Sequence, residues 1–104
     1  MRLNVIDSTV WFNYAHGNGG AIWTDSDEVN ITGSTITDNA TFGANAGSGG
    51  GVYYQGLQGL IANSLIRDNS AEEGGGVMLA DGDMTINDNT VITVTTRASA
   101  MVSA

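Results

Sequence analysis

The chain has no cysteine, no proline and no lysine, and each absence narrows what it can be. Lack of cysteine leaves the redox compartment open and, with His16 the single histidine, leaves too few ligands for a transition-metal site, so His16 reads as a loop residue. Cationic side chains are limited to three arginines against eleven carboxylates, a formal net charge of −8. Such a chain repels nucleic acid and anionic membrane surfaces, and neither is expected as a partner. No apolar run approaches the roughly 18 residues of a membrane span, which argues against membrane insertion. The opening Met1-Arg2-Leu3 does not begin a signal sequence, so an export signal, if used, lies outside this chain.

What the chain has in excess is glycine, fifteen of 104 residues, and it is not scattered. Val5–Val10, Ile31–Ile36, Ile61–Ile66 and Ile86–Val91 each join two apolar residues at a spacing of five. Between them, Asp7, Gly33, Asn63 and Asp88 precede Ser8, Ser34, Ser64 and Asn89, turn formers flanked by β-branched residues. A second element recurs as Gly19-Gly20-Ala21-Ile22, Gly49-Gly50-Gly51-Val52 and Gly74-Gly75-Gly76-Val77, with Ser99-Ala100-Met101-Val102 a degenerate fourth. From Ile22, Val52 and Val77 to Ile31, Ile61 and Ile86 the spacing is nine each time. Length varies in one corner, where the insertion 40–48 makes one unit longer than its neighbours.

A unit of about 25 residues with three short β-like pieces cannot bury its apolar positions alone, so stacking must do it. The expected fold is all-β: a parallel β-helix, right-handed by the usual crossover rule, of about four coils near 1–28, 29–58, 59–83 and 84–104 in a single domain, with no evident caps. Its core columns are Val5/Ile31/Ile61/Ile86, Val10/Ile36/Ile66/Val91 and Ile22/Val52/Val77/Val102. The alternation of Ile31-Thr-Gly-Ser-Thr-Ile-Thr-Asp-Asn39 and Ile61-Ala-Asn-Ser-Leu-Ile-Arg-Asp-Asn69 with glycine-glycine-aliphatic segments resembles the right-handed β-helix repeats of pectin-lyase-like proteins. It is most similar to the glycine-glycine-aliphatic repeats of bacterial surface proteins, including polymorphic outer-membrane autotransporter passengers. That resemblance implies an extracellular or cell-surface setting, and it identifies a fold more sharply than a function.

Several residue sets invite chemistry. Asn13, Asn39 and Asn69 share a column and are expected to form an asparagine ladder that stops before the last coil. Asp38 and Asp68 should lie one coil apart, a separation at which carboxylates bind calcium or shift a pKa, although Arg67 can neutralise them. Asp25, Asp27 and Glu28, with Asp81 and Asp83 two coils on, gather at the corner after the glycine strand; calcium is the candidate cofactor, and a solvated turn is the plainer reading. Trp23, Tyr53 and Met78 follow the inward aliphatic of that strand. They either alternate outward, as an apolar stripe for sugar rings or a protein partner, or belong to the core.

Nothing here assembles a catalytic constellation, and a non-enzyme is expected. The open ends suggest self-stacking head to tail into a filament, or flanking coils of a longer adhesin-like surface protein. The alternative is a carbohydrate-binding or polysaccharide-degrading β-helix.

Overall fold

The computed structural model describes residues 1–41, 47, 49–71, 75–86, 90–94 and 101–103, the side chains of 91–94 and 101–103 excepted. Gly74, Asp88, Asn89, Ser99, Ala100 and most of the 40–48 insertion therefore lie outside the described residues.

Short runs of β-branched and aromatic residues, cut by glycine, asparagine, aspartate and serine, form β1 (Arg2–Ile6), β2 (Thr9–Trp11), β3 (Tyr14–Ala15), β4 (Ile22–Thr24), β5 (Glu28–Thr32), β6 (Thr35–Thr37), β7 (Ala40–Thr41), β8 (Val52–Ala62), β9 (Leu65–Asn69), β10 (Val77–Ile86), β11 (Val91–Val94) and β12 (Met101–Ser103). Every pairing among them is parallel. One sheet runs β1-β5-β8-β10-β12 with β4 also on β8, a second runs β2-β6-β9-β11, and a third joins β3 to β7. Neighbours in each sheet are a whole turn of chain apart: Arg2 pairs with Glu28, Glu28 with Gln58, and Gln58 with Asp83. Strands thus pair only with their counterparts in neighbouring turns, never with the strand next to them in the chain, which defines a parallel β-helix.

Alternation along each strand sends one set of side chains inward. Val29, Ile31, Ile36, Val52, Ile61, Ile66 and Val77 are wholly buried and form the core with Tyr54. Burial of each such aliphatic contributes about 1.5–3 kcal/mol. Among the expected columns, Val5, Ile31, Ile61 and Ile86 are register partners, as are Val10, Ile36 and Ile66, and Ile22, Val52 and Val77.

The last turn departs from the sequence reading by one residue in two places. Ile92, not Val91, stands opposite Ile66, and Met101, not Val102, stands opposite Val77. Val91 pairs with Leu65 and Val102 with Met78. Both sites carry an apolar doublet, so either register satisfies the hydrophobic pattern, and only the backbone ladder chooses between them. The same shift puts Thr90, rather than Asn89, after Ser64 in the hydroxyl column, where the Ser64 N–H points to Thr90 Oγ1.

The glycine strand and the strand after it are separate in the first turn (β4, β5) but continuous in β8 and β10. In the first turn Thr24 and Ser26 close the corner: their hydroxyls lie 2.8 Å apart, and Ser26 Oγ donates to the Glu28 carbonyl. In the second, Gly56 keeps the approach open, since a Cβ there would strike the Ser26 carbonyl and the Tyr54 hydroxyl. β10 takes the same corner with two register shifts, between Leu79 and Asp81 and between Asp81 and Asp83.

Because Ile61 is wholly enclosed between Ile31 and Ile86, Ile61→Asp places an unpaired charge in the dry centre of the stack. The variant is expected to lose its cooperative thermal transition and its β-sheet circular dichroism; a folded Ile61→Asp protein contradicts the core assignment.

Candidate functional site

Two turn columns hold the walls together. Asp7, Gly33 and Asn63 have φ of 47°, 59° and 50°, and Phe12, Asp38 and Asp68 have φ of 56°, 58° and 55°. Both columns sit in the left-handed region, where aspartate, asparagine and glycine cost least. Asp38 and Asp68 therefore have a conformational reason to be where they are. Thr37 Oγ1 donates to Asp38, and Arg67 lies 3.6 Å from the Asp68 carboxylate. Phe12 is the exception, a bulky residue in the same conformation and more than half exposed.

Directly after this column comes the asparagine ladder. The Asn13 N–H and Nδ2 donate to Asn39 Oδ1, and the Asn39 N–H and Nδ2 donate to Asn69 Oδ1, all at 2.9–3.0 Å. Asn39 Nδ2 is also shared with the carbonyls of Thr37 and Val10, and Asn69 Nδ2 donates to the Ile36 carbonyl. Each amide thus caps its own turn and the neighbouring one. Opposite Asn69 stands Val94, which has no amide to continue the series. A parallel ladder runs through serine: the Ser8 N–H donates to Ser34 Oγ and the Ser34 N–H to Ser64 Oγ.

Tyr54 fastens the corner between the glycine strand and the sheet that follows. Its hydroxyl lies 2.8 Å from the Asp27 carbonyl and 2.9 Å from the Gln58 carbonyl, tying two turns together. Burial raises its pKa, and the nearby Asp27 and Glu28 carboxylates add to the rise against the lowering effect of backbone hydrogen bonds from Leu57 and Gln58.

On the outside of the same sheet lies an open groove of about 280 Å³, lined by Glu28, Asn30, Gln58, Gly59, Leu60, Asp83 and Thr85. It spans three turns, with Glu28, Gln58 and Asp83 in one row and Asn30, Leu60 and Thr85 in the next. Glu28 is held by Arg2 at 2.8 Å, Asn30 donates to Asn4, and Asp27 accepts the Met1 ammonium. Glu28 and Asp83 stand two turns apart with Gln58 between them. Asp25 and Asp81 are exposed, and among the described residues no three carboxylate or histidine side chains converge as a metal site would require. The sequence reading picked out the acids of this groove but not Asn30, Gln58, Leu60 or Thr85. The signal for those was available in the strict alternation of β5 with its partners.

Trp23, Tyr53 and Met78 are register partners on the outside of the glycine strands, between inward Ile22/Val52/Val77 and inward Thr24/Tyr54/Leu79. Their exposure falls along the stack: Trp23 is 49% exposed, Tyr53 half-buried and Met78 8% exposed. The Trp23 and Tyr53 rings are parallel within 4° at 6.3 Å between centroids. Trp11, Phe12 and Tyr14 form a second exposed aromatic group, whose partners in the following turns are Thr37 for Trp11 and Ala40 for Tyr14. His16 is exposed in the turn after β3.

Parallel walls, inward aliphatic columns and an asparagine ladder define the class as a parallel β-helix. Residues 3–103 match a family model described as right handed beta helix region, and the chain belongs to that family. No curated protein and no solved structure matches the chain. The fold serves both enzymes and non-enzymes.

Asn39→Ala strips the central amide of the ladder and leaves the Asn13 N–H, the Thr37 and Val10 carbonyls and Asn69 Oδ1 short of partners. A loss on the order of 3 kcal/mol is expected in urea unfolding. Tyr54 yields a pH prediction. Its folded-state pKa is raised above the ordinary 10.0, so between the two values the unfolded chain gives up the proton while the folded chain keeps it. Stability from this group is complete below pH 10 and declines as pH rises through that value, so melting temperatures of wild type should fall more steeply there than those of Tyr54→Phe.

Proposed function

We propose that the chain is a non-enzymatic structural segment of an extracellular or cell-surface β-solenoid, acting by extending a stack of coils and presenting its side faces, as a filament subunit or part of an adhesin. The observation that carries this reading is the in-register stacking of the core columns. Val5, Ile31, Ile61 and Ile86 share one column, Val10, Ile36 and Ile66 a second, and Ile22, Val52 and Val77 a third. Each turn buries its apolar residues against those of the next, so the fold is built by adding turns. The acidic, lysine-free composition and the glycine-glycine-aliphatic repeats, similar to those of bacterial surface proteins and autotransporter passengers, support the setting.

Three of the carboxylates that would suggest an enzyme also have local duties. Asp38 and Asp68 take left-handed turns, and Glu28 is paired with Arg2. A second reading, carbohydrate binding, is favoured by one feature: the outer groove offers two carboxylates, two amides and a hydroxyl around Leu60.

Incubation with soluble homogalacturonan, xylan and β-glucan, followed by assay of reducing ends and of unsaturated products, tests the reading. No turnover is expected. Turnover that disappears in Glu28→Gln or Asp83→Asn overturns the structural role, while saturable binding without turnover supports the sugar-displaying reading.

A further inference from the structure

At the corner of β10 the Gly82 N–H donates to Oδ1 of the preceding Asp81, at 2.9 Å. The nitrogen therefore lies beside Asp81 Cγ, the carbon one bond from that oxygen. Elsewhere the fold directs the N–H that follows an aspartate or asparagine into a neighbouring turn. After Asp7 the Ser8 N–H goes to Ser34 Oγ, after Asp38 the Asn39 N–H goes to Asn69 Oδ1, and after Asn69 the Ser70 N–H goes to the Asn39 carbonyl. Gly82 falls in a gap of the ladder: Asp81 pairs with Gln55 and Asp83 with Gln58, and the register passes over the glycine.

We infer that Asp81–Gly82 is a site of spontaneous backbone modification, closing to a succinimide and opening to isoaspartate. The Gly82 nitrogen bonds to Asp81 Cγ and a Cγ–O bond breaks; the carboxyl oxygen leaves as water, taking the amide proton and one proton from solvent. Water then adds to either ring carbonyl. Breaking the bond from the nitrogen to Cγ restores aspartate. Breaking its bond to the Asp81 carbonyl carbon leaves the chain running through Cβ and Cγ, with a free α-carboxylate. No oxidant or cofactor enters, and the folded corner already holds the two reacting atoms side by side.

The surroundings suit this chemistry. Glycine at 82 gives ring closure no Cβ to displace, and at a φ of 98° a Cβ would also strike the Gly56 carbonyl. Asp81, Gly82 and Asp83 are exposed, so water reaches the ring. Gln58 is exposed as well, although Glu28 lies on one side of it and Asp83 on the other, so exposure belongs to this corner and not to its place in the stack. Register shifts on both sides of Asp81 let the corner take one more backbone atom while Val77 stays opposite Val52 and Ile86 opposite Ile61. The chain's other such pair is Asn18–Gly19, whose glycine is buried. None of this depends on the solenoid role proposed above.

The arginines frame the test, because trypsin releases Asp81 in the peptide 68–97 and Asn18 in 3–67. The full chain is aged at physiological temperature and pH, native and in urea, and mapped by mass spectrometry. In the native chain, peptide 68–97 should accumulate a species lighter by one water and then an isoaspartyl form of unchanged mass. Electron-transfer fragmentation, and methyl uptake from S-adenosylmethionine with an isoaspartyl methyltransferase, locate that form. Its formation should be severalfold faster native than in urea. Asp81→Glu, which would need a six-membered ring, should abolish both species, and Asp81→Asn should reach the same succinimide faster with loss of ammonia. A native rate no higher than the unfolded rate, products confined to 3–67, or products that persist in Asp81→Glu overturn the inference.

Discussion

No strand of its own turn pairs with β5; its backbone ladder is completed by β1 on one side and β8 on the other. Hydrogen bonding between turns, in register and always parallel, is the constraint on which the remaining features depend. It sets equivalent residues one above another at roughly 4.8 Å, so whatever residue type recurs becomes a column. Aliphatic columns are dry, amide and hydroxyl columns become ladders, and aspartate and asparagine columns become a series of left-handed turns. A single exchange is felt by the turns on both sides, which is why Ile61 and Asn39 at the centre matter more than Val5 or Asn13 at the edge.

The same constraint divides the surface from the interior. Strand alternation leaves Glu28, Asn30, Gln58, Leu60, Asp83 and Thr85 on one outer face and Trp23 and Tyr53 on another. The side chains of these faces point away from the interior, so their chemistry can change without touching the core. Acidic residues on such a face are inexpensive, since water screens them, and an acidic row alone carries little information about a ligand.

Much of the architecture was legible in the residues. Two spacings, five between paired aliphatics and nine from the glycine strand to the next, place the inward columns of the first three turns, because each column needs one residue type at one position. The asparagine series was legible for the same reason. The last turn was not: Val91-Ile92 and Met101-Val102 satisfy the apolar pattern in either register, and their assignment slips by one. The outer groove was only half legible. Its acids stand out as charges, but Asn30, Gln58, Leu60 and Thr85 acquire meaning only when three turns are laid side by side. Asp38 and Asp68 read as a chemical pair in the sequence; their positive φ, visible only in the backbone, gives them a turn-forming role.

By itself, then, the sequence determined that this chain is a right-handed parallel β-helix with an asparagine ladder and a stacked aliphatic core, because repetition at fixed spacing leaves few other ways to bury those residues. Only the tertiary structure decided the register of the last turn, the outward stacking of Trp23 on Tyr53 and the inward anchoring of Tyr54. Each of these depends on which backbone group of one turn meets which of the next, a choice made by hydrogen bonds between residues far apart in the chain.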